Sequence, residues 1–245
     1  MKKYLTQEEI INQIKNAIDN NKGFSLVRIG DGELVILAQE IILSHKTIMS
    51  NYGWAYNSLS YCGTPLPNIK IRDSMNKAVK NADIVGVFEE TIYDERFNPA
   101  CMDVARFNTL VFDKLDFYSE QICYAFENIY LPMNYKFIEL IIKYPPLIIG
   151  GETDKFVDFL SKTLKLNIQQ GIPIKDYFEL DKCINKISKT DFKWALVSAG
   201  ANALPICDYI KSIGKVGVDF GHAPDYIMYP HIYSEFNYEH LRNEL

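Results

Sequence analysis

Phe24-Ser25-Leu26-Val27-Arg28-Ile29-Gly30-Asp31-Gly32-Glu33 is the stretch that decides the fold. Its first half is a short apolar run, bounded by turn residues, of the kind that forms a buried strand. Gly30-Asp31-Gly32 then breaks the run, and Glu33 opens a second apolar segment that reads as a helix through about Ile42. A strand that ends in a glycine-flanked acidic turn and passes straight into a helix is the opening unit of an α/β protein.

The flanks repeat that unit. Upstream, Thr6-x-x-Glu9 has the form of a capping box, and Ile10, Ile11, Ile14 and Ile18 recur at helical spacing, which predicts a helix over about Gln7 to Asn20 with Gly23 near its end. Downstream, Ile71–Lys80 reads as helix and Ile84–Phe88 as a strand ending in Glu89-Glu90. Leu147–Ile149 is a strand closed by Gly150-Gly151, and Lys155–Leu164 is a helix. Leu166–Ile168 is expected as a further strand and Asp176–Ile187 as a helix. Trp194–Val197 is a strand closed by Ser198-Ala199-Gly200-Ala201, followed by a helix to Ile213. Lys215–Asp219 is a last strand, closed by Phe220-Gly221-His222. The fold class is therefore α/β: a Rossmann-like, mostly parallel sheet with helices on both faces. One domain is expected over residues 1–245, with a helical insertion at about 98–144. Residues 50–67 mix Gly, Pro, Ser and Asn with Tyr52, Trp54, Tyr56 and Tyr61 and read as a long ordered loop.

Composition narrows the partners. The net charge of −5 argues against nucleic acid, which calls for a basic face. The cysteines at 62, 101, 123, 183 and 207 are odd in number and form no Cys-x-x-Cys pair, as expected for reduced cytoplasmic thiols rather than a zinc ribbon. Acidic residues follow the N-terminus too soon for a signal peptide. The most apolar later stretch, Phe137 to Ile149, is interrupted by Glu139, Lys143 and two prolines, so no transmembrane segment is expected.

In an open α/β sheet, ligands bind beyond the carboxyl ends of the strands. Five strand ends here carry small or polar groups. Asp31 and Glu33 flank Gly32 and can face one hard divalent cation, whose remaining sites go to water and phosphate oxygens. Equally, Asp31 can cap a helix and Glu33 can favour its dipole. Arg28, a charge at the end of an apolar strand, can orient a carboxylate or grip a phosphate. Gly30 and Gly32 leave room for a ligand, and Ser198, Ala199 and Gly200 lie where a strand-to-helix turn meets an anion, or simply allow close packing. Asp219 and His222 close the last strand as candidates for acid–base work. Glu89 and Glu90 are candidates of the same kind.

Ser25-Leu26-Val27-Arg28-Ile29-Gly30-Asp31-Gly32-Glu33 resembles the start of the GT-D type glycosyltransferases, which pair a strand ending in Arg-x-Gly with an Asp-x-Glu motif. The order Ser198-Ala199-Gly200, then Gly214-Lys215-Val216, then Asp219-Phe220-Gly221-His222 resembles the later part of the same family. The resemblance runs from about residue 5 to 225. It implies an enzyme that takes a hexose from a nucleotide sugar, UDP-glucose-like, to a glycan or glycoprotein acceptor in surface-glycan assembly. The thiols and the N-terminus predict a cytoplasmic location, where peripheral contact at the inner membrane face would suffice for a lipid-linked acceptor. The resemblance further implies Mn²⁺ or Mg²⁺ at Asp31 and Glu33. Apart from the resemblance, a second copy of the chain in a homo-oligomer is a candidate partner for the aromatic loop and for the residues past 225. Two other functions fit the same carboxylates: a metal-dependent phosphohydrolase or phosphotransferase, and a nucleotide-sugar-binding subunit without turnover. Residues 226–245 carry no recognised motif.

Overall fold

The computed structural model describes residues 3–51, 63–88, 100–117 and 119–230. Its centre is one eight-stranded sheet in the order β1-β4-β3-β2-β8-β7-β5-β6, with every pairing parallel. The strands are β1 (Lys3–Tyr4), β2 (Phe24–Arg28), β3 (Ile84–Val87), β4 (Gln121–Tyr124), β5 (Leu147–Gly150), β6 (Ile172–Pro173), β7 (Trp194–Ser198) and β8 (Val216–Asp219). β2 and β8 lie side by side in the middle, in the register Phe24↔Val216 to Leu26↔Val218. Both are apolar along nearly their whole length because both of their faces are covered.

The sense of each crossover settles which face a helix covers. Connections that run toward the β6 edge carry α1 (Gln7–Asp19), α7 (Tyr135–Lys143) and α8 (Thr153–Leu164). Those that run toward the β1 edge carry α2 (Asp31–Ala38), α4 (Ile69–Asn81), α5 (Ala100–Leu115), α9 (Leu180–Ile187) and α10 (Ala203–Ser212), with the short α3 (His45–Asn51) between α2 and α4. Right-handed crossovers must put these two sets on opposite faces, and the core divides accordingly. Ile10, Ile14, Phe137, Phe156 and Trp194 share one buried cluster, while Leu34, Met75, Val111, Ile187 and Leu204 share the other. α6 (Glu127–Tyr130) follows β4, and α11 (Ala223–Met228) follows β8.

The local signals explain the elements they predicted. Thr6 accepts from the Glu9 amide and the Glu9 carboxylate accepts from the Thr6 amide, so the capping box forms and α1 starts where its sequence says. Differences appear where a segment is short. α2 begins at Asp31, two residues before the expected start, because Gly30 takes the extended cap position and donates its amide to Glu33. It ends at Ala38, where Gln39 turns extended and Glu40 follows at positive φ.

Leu166–Ile168 is not a strand. Lys165 ends α8 in the left-handed region, Leu166 and Ile168 pack against the core, and pairing with β5 begins only at Ile172. The described part of 98–144 is not a helical insertion, since it supplies β4, which lies between β1 and β3. A four-residue strand carries too few positions for a period to show. The Asp176–Ile187 helix opens with a 3₁₀ turn at Tyr177–Glu179 before α9 begins. Most of the aromatic loop, with Tyr52, Trp54, Tyr56 and Tyr61, lies outside the described residues. Among the described residues, no helix is long and apolar enough to cross a membrane.

Candidate functional site

A cavity of about 650 Å³ opens over the carboxyl ends of β2, β8, β7, β5 and β6. It gathers Arg28, Gly30, Asp31, Gly32 and Glu33 from the β2 end and Gly221 and His222 from the β8 end. Ser198, Ala199 and Gly200 enter from β7, and Gly150, Gly151 and Glu152 from β5. The topology explains the opening. The chain leaves β7 toward one face of the sheet and leaves β5 and β8 toward the other, so a crevice parts between neighbours. Four of the five strand ends singled out in the sequence thus share one cavity. Glu89 and Glu90 lie outside the described residues. Asp219 does not line the cavity but sits beneath it, 3 % exposed.

Arg28 is the hub of that floor. Its Nη1 donates to the Ala125 carbonyl and to Asn128 Oδ1, both at 2.9 Å. Its Nη2 meets Asp219 Oδ1 at 3.1 Å, and its Nε donates to the Asp219 carbonyl at 3.2 Å. The Arg28 amide donates to Asp219 Oδ2, the Gly221 amide to Asp219 Oδ1, and Asn128 Nδ2 to the Phe220 carbonyl. One guanidinium therefore ties β2 to β8 and to the segment after β4. Gly221 is obligatory here. Its φ is +47°, and a Cβ would stand 1.9 Å from Arg28 Nη2. Gly221→Ala is expected to cost a few kcal/mol from strain and displacement of the guanidinium. A thermal melt within 1 °C of wild type would contradict that account.

Above the floor lie the two carboxylates of the Asp-x-Glu turn. Asp31 is exposed, with Oδ1 accepting from the Gly32 amide at 2.9 Å. Glu33 is half-buried, and its Oε2 accepts from the Gly30 amide at 3.0 Å. Burial pushes the Glu33 carboxyl up to about 7. The negative charge of Asp219 adds to the rise, and Arg28 opposes it. A carboxyl whose ionised form is disfavoured by burial gains from a nearby cation. Among the described residues no three His, Cys, Asp or Glu side chains gather as a cage. The donor set of Asp31 and Glu33 thus fits a hard divalent ion that keeps water and ligand oxygens in its shell.

Across the cavity, His222 is exposed and its Nδ1 lies 3.1 Å from Asp225 Oδ2. This contact raises the His222 pKa above its ordinary value. At the β7 end, Gly200 takes a φ of +54° and opens a 3₁₀ turn into α10. That puts the amino end of a ten-residue helix beside the cavity, where anions are favoured. Gly150 permits β5 and β7 to run close, since a Cβ there would stand 2.4 Å from the Ser198 carbonyl.

Sequence reasoning missed three residues of this site. Asp225 had a signal in its spacing of three from His222 at a helix start. Lys175, an exposed cation lining the cavity past β6, and Asn128, buried under Arg28, belong to no motif.

The GT-D fold-like domain model matches residues 5–227, a span that takes in all of these residues. Among solved structures, the domain of unknown function 1792, described as having a distinct glycosyltransferase fold, superposes with a TM-score of 0.66 at 14 % identity, over 95 % of this chain and 82 % of that one. A glycosyltransferase with the same domain from Streptococcus sanguinis gives 0.63 at 14 % identity, over 95 % and 86 %. No curated protein gives a significant sequence match. The matched span, reaching from the capping box to α11, shows that this chain belongs to the GT-D-like family, a glycosyltransferase family.

Proposed function

We propose that this glycosyltransferase moves a hexose from a UDP-linked donor to a glycan or glycoprotein acceptor in surface-glycan assembly, with Mn²⁺ or Mg²⁺ held by Asp31 and Glu33. The observation that carries the metal is Glu33: a half-buried carboxyl with a pKa near 7, at a cavity edge beside a second carboxylate. Such a group is poorly placed for stability alone and well placed to meet a cation. When bound, the ion would neutralise the charge that collects on the diphosphate as the sugar leaves.

The chain's own residues do the rest. Gly30 and Gly32 keep the turn low enough for a diphosphate to approach. The Ser198-Ala199-Gly200 turn and the amino end of α10 favour its negative charge. Lys175 adds a cation on the β6 side of the cavity. Arg28 acts from below by fixing Asp219 and the β8 turn. The cavity volume of about 650 Å³ suits a small organic ligand of nucleotide-sugar size.

The test is nucleoside diphosphate release from a panel of nucleotide sugars with Mn²⁺, Mg²⁺ or EDTA. Asp31→Asn is expected to lower metal-dependent release from the preferred donor by about 100-fold or more while leaving the melt unchanged. A variant with full activity and the same response to EDTA would remove the metal from Asp31. Cleavage of the donor with no transfer to any glycan would favour a phosphohydrolase instead.

A further inference from the structure

The structure separates the two groups that close β8. Both carboxylate oxygens of Asp219 are held: Oδ1 accepts from Arg28 Nη2 and the Gly221 amide, and Oδ2 from the Arg28 amide. A proton taken up there would disrupt a buried ion pair, and Asp219 does not line the cavity. His222 is placed in the opposite way. Its side chain is 78 % exposed and lines the cavity. A carboxylate beside Nδ1 fixes the neutral ring with its proton on Nδ1, which leaves the Nε2 lone pair as acceptor. The backbone that carries the ring is pinned from below, since the Phe220 carbonyl accepts from Asn128 and the Gly221 backbone rests on Arg28.

We infer that His222 is the general base for the acceptor hydroxyl, that Asp225 is its positioning residue, and that transfer inverts the configuration of the anomeric carbon. This rests on the glycosyltransferase function proposed above. The acceptor oxygen forms a bond to the anomeric carbon while the bond from that carbon to the diphosphate oxygen breaks, and the electron pair leaves with the diphosphate. The hydroxyl proton passes to His222 Nε2. One bond is made, one is broken and one proton is moved, with attack from the side opposite the leaving group. The imidazolium that results is stabilised by the Asp225 carboxylate and loses its proton to the solvent that reaches it.

The charged groups acting on His222 are Asp225 on its own helix, Arg28 from β2 and Glu33 from α2. Asp225 and Glu33 favour the protonated ring, and Arg28 disfavours it. A base must be neutral, so transfer rises as pH climbs through the raised His222 pKa. Removing the Asp225 charge moves that rise to lower pH.

The experiment uses the full chain, the nucleotide sugar that the release panel selects, and p-nitrophenyl hexosides as acceptor probes. NMR of the product is expected to show the inverted anomer. His222→Gln is expected to bind the donor within about twofold of wild type by calorimetry, while kcat for transfer falls by about 10²–10⁴. Asp225→Asn is expected to lower kcat by about tenfold and to shift the acidic limb of the pH profile downward. A retained configuration, a His222→Gln enzyme within threefold of wild-type kcat, or an Asp225→Asn profile with an unmoved acidic limb would each overturn the assignment. Those results leave donor binding intact and so strike only the base. A wild-type chain that binds no nucleotide sugar would overturn the proposed function, and this inference with it.

Discussion

Arg28→Met is expected to lower the stability of the protein by about 3–5 kcal/mol, the usual cost of leaving a buried charge without its partner. Asp219 is 3 % exposed and has Arg28 as its ion-pair partner. The methionine keeps most of the aliphatic volume, so the loss would not come from a cavity. It would come from an uncompensated carboxylate, and from the Ala125 carbonyl and Asn128 losing a donor. Arg28→Lys should recover only part of the loss, because one ammonium cannot span the acceptors on β8 and on the segment after β4. The double variant Arg28→Met, Asp219→Asn should be more stable than Arg28→Met alone, since it removes the stranded charge. Urea unfolding of the set measures all three. A loss below about 1 kcal/mol for Arg28→Met would mean that Asp219 finds solvent or another partner, and that the guanidinium is held for ligand contact rather than for structure.

Glu33→Gln is expected to abolish metal-dependent turnover and, in metal-free buffer at pH 8, to stabilise the fold. The sign follows from linkage. The folded-state pKa is about 7, above the ordinary glutamate value of 4.5, so the folded protein holds on to this proton more tightly than the unfolded chain does. Stability from this group is full below about pH 4.5, falls as pH rises through 7, and is flat beyond. The difference corresponds to at most about 3 kcal/mol at pH 8. Glutamine removes that penalty and keeps an oxygen for the Gly30 amide. Thermal melts of wild type and variant in EDTA should therefore converge at pH 4.5 and separate at pH 8, with the variant higher. Adding Mn²⁺ should raise the wild-type melt and not the variant's. A variant that is less stable at pH 8 would show that the charged carboxylate is already compensated within the protein.

Both variants touch residues that stood out in the sequence, and the reasons they stood out differ. Asp31 and Glu33 were legible because a glycine-flanked acidic turn after an apolar run marks a strand end by itself. Arg28 was legible as an anomaly, but its partners were not. Ala125 and Asn128 follow β4, a strand of four residues inside a segment whose longer periods are all helical, so nothing local announced that the chain returns there to the sheet. β6 was misplaced for the same reason: two residues carry no alternation, and the apolar Leu166–Ile168 offered a better-looking run. α1, α4 and α8 were readable to within two residues at each end, and the capping box at Thr6 marked the start of α1. The strand order was not, because it depends on which crossovers run left or right, and that is set by packing across the whole chain.

The central β2–β8 pair has a consequence for how the chain becomes active. Arg28 and Asp219 are separated by 191 positions, yet they form one contact at the floor of the site. β2 leaves the ribosome well before β8, which is nearly the last element of the matched domain. A nascent chain therefore carries its acidic turn through the whole of the intervening synthesis without the strand that completes it. Contacts of such long range are slow to form, since the loop must close before they contribute. The floor of the site is thus incomplete until β8 docks, and a chain truncated before Val216 would hold the carboxylates without Asp219 or His222.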